Sequence, residues 1–405
     1  MTTKRILIFC DGTGMDGNLA SLKAQAQVPV DYSAESTEGQ NATNVLRLSR
    51  GVKRVTEDNR EQLVFYQSGV GSEADYKGDP VVGDDILQAL GTAVASKIRD
   101  AYAFVAQNYS DGDEISIFGF SRGAYTARKL AGLIDTIGLL QTETLGLFFQ
   151  IWRQLVDDLP PTIPPDSRRV RIKCVGVWDT VGSVYGAIDA LNIKDNSLPR
   201  NVEYALHAMS LQENRQKFLP TLWSVPTGGL TPGQVLKQVW FPGAHSDVGG
   251  GYLRHDLADL ALFWMAGEIE GFIDLDLDFI QNSRQKKPDP WGTAQPNNAY
   301  EDLPLFQKPI IGHETRLQSN QITPNAYFHQ SILVAPTKLT RPTYMVTLPI
   351  LQTAFGKNWK PVTPSLNSFE EKCKNEWLMM PIRGTFGLPF ESIGDLFTRK
   401  PISRV

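Results

Sequence analysis

A serine framed by two glycines, Gly119-Phe120-Ser121-Arg122-Gly123, lies between a strand-like run and a helix-like run, and this junction constrains the fold more tightly than any other stretch of the chain. Upstream, Glu114-Ile115-Ser116-Ile117-Phe118 alternates and is β-branched, as a strand entering a sheet should be. Downstream, Ala124 to Leu133 is rich in helix formers. A strand, a sharp turn and a helix form the setting in which a G-x-S-x-G serine is lifted above a sheet as a nucleophile. The glycines follow from that geometry, because side chains two positions either side of the serine would run into the neighbouring strand and helix. Ser121 is therefore the candidate nucleophile, and the helix that starts behind it directs its positive end towards an oxyanion.

The rest of the pattern supplies a sheet for this turn to sit on. Arg5 to Cys10 predicts a first strand that breaks at Asp11-Gly12-Thr13-Gly14, and Gln62 to Tyr66 predicts a second. Val170 to Trp178 is apolar enough to lie centrally in a parallel sheet and stops at Asp179; Val235 to Phe241 stops at Gly243-Ala244-His245. Helices are predicted over Asn44 to Val52 with Thr43 as cap, over Asp84 to Tyr109 on an apolar stripe, and over Asp256 to Ile269. Alternation of this kind across residues 1–270 argues for an α/β fold, a doubly wound and mostly parallel sheet covered on both faces, with ligands bound at the carboxyl ends of strands. Residues 136–168 and 183–234 read as insertions into that catalytic core. The first, with Phe148, Phe149, Ile151 and Trp152, fits a lid or a core-covering helix equally well. Prolines interrupt periodicity over residues 271–405, which are expected as a loop-rich C-terminal extension or lid-like region packed on the core.

Composition excludes several classes. A 405-residue chain with formal charge −4, pI near 5.8 and 41% apolar residues can bury a large core and carries no electrostatic footprint for nucleic acid. Ile6 to Phe9 is too short for a signal peptide or a membrane span, and no integral membrane segment is expected elsewhere, which points to a cytoplasmic protein. Cys10, Cys174 and Cys373 are widely spaced and are expected as free thiols; no C-x-x-C or H-x-x-x-H spacing is present, so neither a metal nor a cofactor is expected.

A serine hydroxyl needs a base within hydrogen-bond reach and a carboxylate that orients the base. Of the five histidines, only His245 directly follows a predicted core strand, in a glycine-rich loop that permits close approach. Asp179, ending the strand after the nucleophile unit, is the preferred acid because it gives the order Ser, Asp, His; Asp247 is the rival, although two residues from His245 it better suits capping the loop. The oxyanion hole is assigned to the backbone N–H of Arg122 with a second donor from Gly12 or Thr13.

Taken together, Asp11-Gly12-Thr13, Gly119 to Arg128, Val177 to Gly182 and His245 to Tyr252 make the chain resemble the α/β-hydrolase-like family of the type VI secretion phospholipase effectors over about residues 5–270. It departs from the family's pattern at Gly14-Met15, where a tryptophan and an asparagine commonly follow D-G-T. The resemblance implies a serine hydrolase with Ser121 as nucleophile, His245 as base and Asp179 as acid. The expected activity is cleavage of a carboxylic ester, of a phospholipid or another lipid, through an acyl-enzyme, with transient membrane contact and the oligomeric state left open. A small-molecule esterase or thioesterase and a non-catalytic binding scaffold are the alternatives. A phosphatase reading prompted by Asp11-Gly12-Thr13 fails, because its aspartate nucleophile would have to stand at Phe9.

Overall fold

The computed structural model describes residues 3–12, 15, 41–69, 84–181 and 197–379, with the backbone alone at 84–92. Strand β1 (Arg5–Cys10) is followed by helix α1 (Asn44–Arg50), β2 (Gln62–Gln67) and α2 (Asp84–Asn108). Then come β3 (Glu114–Phe120), α3 (Arg122–Ile137), α4 (Phe148–Val156), β4 (Ile172–Trp178) and β5 (Val202–Ser210). Strand β6 (Val235–Phe241) leads into the short α5 (His245–Gly249) and α6 (Asp256–Ile269). After α7 (Leu277–Asn282) and α8 (Lys308–Ile311) the chain adds β7 (Tyr327–Phe328), α9 (Leu348–Phe355) and α10 (Ser368–Asn375).

Seven strands pair in the order β2-β1-β3-β4-β5-β6-β7, every neighbour parallel. Side-chain alternation splits the core in two, as it must when both faces of a parallel sheet are covered. Ile6, Ile8 and Cys10 of β1 join Ile115 and Ile117 of β3 beneath α2, α3 and α4. Leu7, Phe9, Phe118, Phe120 and Trp178 face the other way, against α1 and α6. From β1 the chain steps outward to β2 and returns on the far side of β1 as β3, so the carboxyl ends of β1 and β3 border a topological switch point, where open α/β sheets bind ligands.

Three regions differ from their sequence reading or resolve its ambiguity. Residues 183–234, read as an insertion, carry β5, which pairs with β4 and β6 in the middle of the sheet. Its run Val-Glu-Tyr-Ala-Leu-His-Ala-Met-Ser mixes polar and apolar residues and hid a strand whose Glu203, His207 and Ser210 side chains bond to Lys173, the Thr180 N–H and Asp179. In residues 136–168, Phe148, Ile151 and Leu155 of α4 are buried in the first core cluster and the Phe148 ring lies 4.8 Å from that of Tyr102, so α4 covers the core, while Leu147, Phe149, Val156 and Leu159 are exposed, Phe149 most of all at 64%. The C-terminal region is joined to the sheet itself, since β7 extends the edge beyond β6 and a third apolar cluster links Trp240 and Met209 to Ile322, Phe328 and Leu351. Cys10, Cys174 and Cys373 are free and buried, and among the described residues no helix is long and apolar enough to cross a membrane.

Candidate active site

Ser121 leaves β3 with φ 57° and ψ −122°, a conformation that non-glycine residues rarely adopt, and its neighbours explain how the strain is held. Its N–H donates to the Trp178 carbonyl at 3.1 Å, and its carbonyl accepts from Tyr125 in the first turn of α3. A Cβ on Gly123 would stand 2.1 Å from the Cys10 carbonyl oxygen, and one on Gly119 would stand 2.4 Å from that of Gly123. Both glycines are therefore spaces through which β1, β3 and α3 meet, as the motif requires.

His245 opens α5, just after Gly243, whose φ of 124° makes the turn from β6. Its Nε2 lies 2.8 Å from Ser121 Oγ and its Nδ1 2.6 Å from Asp179 Oδ2. An ionised carboxylate only accepts hydrogen bonds, so Nδ1 carries the proton and Nε2 accepts from the serine hydroxyl. The ring is held edge-on to Phe218 and tilted over Phe120, and its backbone N–H donates to Glu213 Oε2 at 3.1 Å. The other four histidines are occupied elsewhere. His207 accepts from the Thr180 N–H inside the sheet, His255 pairs with Asp259, His313 stacks on Tyr344, and His329 bridges Ser331 and Glu370.

Asp179 terminates β4 in a left-handed turn at φ 42° and is fully buried. Besides His245, it accepts from Ser210 N at 2.9 Å and Ser210 Oγ at 3.0 Å, and from both terminal nitrogens of Arg316, the Nη2 bond being 2.9 Å. Burial acts to raise its pKa, but the Arg316 charge and then the hydrogen bonds from His245 and Arg316 outweigh it and hold the carboxyl well below the usual range. Burial lowers the pKa of His245, against the pull of Asp179 upwards. The rival carboxylate, Asp247, is turned away from the imidazole: it accepts from Ala244 N at 2.9 Å and from the backbone and side chain of Asn297 at 2.8 and 2.6 Å.

At the switch point, a Cβ on Gly12 would lie 2.8 Å from the Phe120 ring, so the loop after β1 runs directly beside the serine turn. The Gly12 N–H donates to Asp11 Oδ1 at 2.7 Å, and Asp11 Oδ2 accepts from Thr43 Oγ1 at 2.9 Å and from the Tyr66 hydroxyl. Thr13 lies outside the described residues. Arg122 is the first residue of α3, where a helix has N–H groups without intrahelical acceptors. Among the described residues, no group of three His, Cys, Asp or Glu is placed to hold a metal ion.

Sequence reasoning located Ser121, His245 and Asp179 but not Arg316, Ser210 or Glu213. Ser210 and Glu213 lie at the end of the unrecognised β5, and Arg316 lies in a stretch with no periodicity to place it.

The sequence matches the family described as T6SS, phospholipase effector Tle1-like, catalytic domain, over residues 4–268. An uncharacterised protein of Saccharomyces cerevisiae is 31% identical over 216 residues, which cover 46% of this chain and 31% of that protein. Among solved structures, the Tle1 effector bound to the VgrG spike of the type 6 secretion system gives a TM-score of 0.37 at 20% identity, covering 62% of this chain and 51% of that one. An uncharacterised protein from Pseudomonas aeruginosa gives 0.35 at 17% identity, covering 64% and 45%. The chain thus spans under a third of the yeast relative and about half of the solved neighbours. Because the match runs through well over half of its length, this chain belongs to the Tle1-like phospholipase effector family, through that family's catalytic domain.

Proposed function

We propose that this chain hydrolyses a carboxylic ester of a lipid, a phospholipid by family, through an acyl-enzyme on Ser121. The observation that carries the reading is the continuous chain from Ser121 Oγ through the His245 ring to Asp179, with 2.8 and 2.6 Å links. In the reaction, Ser121 Oγ attacks the ester carbonyl as His245 Nε2 takes its proton, and the imidazolium is stabilised by Asp179. The same proton then passes to the departing alcohol. Water, deprotonated by His245, attacks the acyl-enzyme and releases the fatty acid, restoring the serine.

The tetrahedral oxyanion is assigned to the Arg122 N–H at the start of α3, supported by the positive end of the helix. A second donor comes from the loop after β1. Gly12 and Thr13 are the residues of that loop assigned to the role, and the Gly12 N–H rests on Asp11 Oδ1; one such donor is worth about 2.7–4 kcal/mol in the transition state. A fluorophosphonate probe should label the wild-type chain at Ser121 and leave Ser121→Ala unlabelled, and equal labelling of the two would overturn the mechanism. Mass spectrometry of a total lipid extract should show species consumed by the wild type and spared by Ser121→Ala, which identifies the acyl ester cleaved.

A further inference from the structure

We infer that Arg316 is a positioning residue of this site: its guanidinium grips both oxygens of Asp179, aims Oδ2 at His245 and balances the carboxylate's charge, so that the region beyond the family's catalytic domain completes the relay. The inference rests on the mechanism proposed above and adds to it a cation that the mechanism as usually built does not contain.

The geometry is specific. Arg316 is fully buried, its Nη1 and Nη2 each donate to a different oxygen of Asp179, and the same nitrogens donate to the carbonyls of Ser210 at 2.6 Å and Phe218 at 2.8 Å. A two-pronged contact fixes the plane of the carboxylate, which a point charge does not. The Phe218 whose carbonyl is bound also presents its ring to His245, so the arginine holds the acid and one wall of the base together. Stability alone does not account for the pair. A buried arginine is costly to desolvate, apolar residues of the same volume do as well or better, and here Nε has no acceptor among the described residues.

Charge balance sharpens the argument. His245 is faced by Asp179 from the end of β4, by Glu213 and Arg215 from the segment after β5 and by Ser121 from the turn after β3, while Arg316 of the C-terminal region stands behind Asp179. On its own helix, Asp247 is turned to Ala244 and Asn297. Glu213 and Arg215 pair with each other at 2.7 Å and contribute little net charge, which leaves Arg316 as the cation opposing Asp179. With it in place, the carboxylate's pull on the imidazole is weakened, and burial holds the ring in the neutral form that can accept the serine proton.

The experiment compares full-length wild type, Arg316→Gln and Arg316→Lys, each checked for folding by circular dichroism. The readouts are the pH profile of kcat/KM on p-nitrophenyl butyrate and fluorophosphonate labelling. Glutamine removes the charge and should move the acid limb up by about one pH unit. Lysine keeps the charge and loses the fork, so the limb should stay in place while kcat falls about tenfold or more, with KM little changed. An unmoved limb in Arg316→Gln, or full kcat in Arg316→Lys, would overturn the role. If neither variant folds, NMR titration of the Asp179 carboxyl in the wild type decides: a carboxyl still ionised a full pH unit below the ordinary aspartate value of about 3.9 supports the charge balance, and one that protonates at or above that value overturns it. Wild type that never labels at Ser121 brings down mechanism and inference together, whereas labelling with unchanged Arg316 variants brings down the inference alone.

Discussion

At the residue scale, the site consists of three side chains whose protonation states are set by what surrounds them. Asp179 is kept ionised by Arg316, and His245 is kept neutral by burial, which is the form that the proposed role as base requires at neutral pH. Since only the neutral ring can accept the serine proton, kcat/KM should be full above the His245 pKa and fall tenfold per unit as pH drops through it. That acid limb should lie below the ordinary histidine value of about 6.5; a stopped assay in overlapping buffers measures it, and a limb well above that value contradicts the burial argument. Asp179→Asn should keep the fold and lower kcat by about 10³-fold or more, because the amide no longer fixes the imidazole in the tautomer that presents a bare Nε2 to the serine. Steady-state kinetics with circular dichroism as the folding control check this.

At the element scale, much of the machinery is written into strand ends. The serine turn, the aspartate after β4 and the histidine after β6 were legible because each stands where an apolar run stops and a glycine or a charged residue begins. Helix α1 was legible through its cap: Thr43 Oγ1 accepts from Leu46 N at 3.1 Å, and the same hydroxyl donates to Asp11, which ties the helix to the loop beside the site. Strand β5 was not legible, because Glu203, Tyr204 and His207 break its apolar run while their partners, Lys173 and the Thr180 N–H, come from elsewhere in the chain. The junction of β1, β3 and α3 carries a prediction. With a Cβ 2.1 Å from the Cys10 carbonyl oxygen, Gly123→Ala must push α3 off β1, at a cost of about 1–3 kcal/mol or more. Because the first turn of α3 carries Ser121 with it, activity should fall by more than the lost stability explains; denaturant titration and kcat measured on the same preparation separate the two.

At the scale of the whole molecule, two buried groups pull the pH dependence of stability in opposite directions. Burial, then the Arg128 charge, lower His207 to about 3, so the unfolded chain takes up a proton that the fold refuses, and stability rises with pH from about 3 to 6.5. Burial raises Asp247 from 3.8 to about 6, against its hydrogen bonds from Ala244 and Asn297. The fold therefore holds a proton that the unfolded chain has released, and stability falls as pH rises between those values. Each slope is about 1.4 kcal/mol per pH unit, and they oppose one another between about pH 4 and 6. Relative to wild type across that window, His207→Gln should lose stability as pH rises and Asp247→Asn should gain it; urea midpoints at about pH 4.5 and 5.5 test both signs.

The region after residue 271, the least legible part of the sequence, matters to the molecule in ways that composition could not convey: β7, Asn297 and Arg316 each act at one isolated place in the chain, and isolated residues leave no periodic trace. The distances along the chain between partners have a further consequence. Ser121 and His245 are 124 residues apart, and Asp179 and Arg316 are 137 apart. A ribosome therefore makes Ser121 long before it makes Arg316, and Asp179 gains its guanidinium partner only after residues beyond the segment matched to the family have been synthesised.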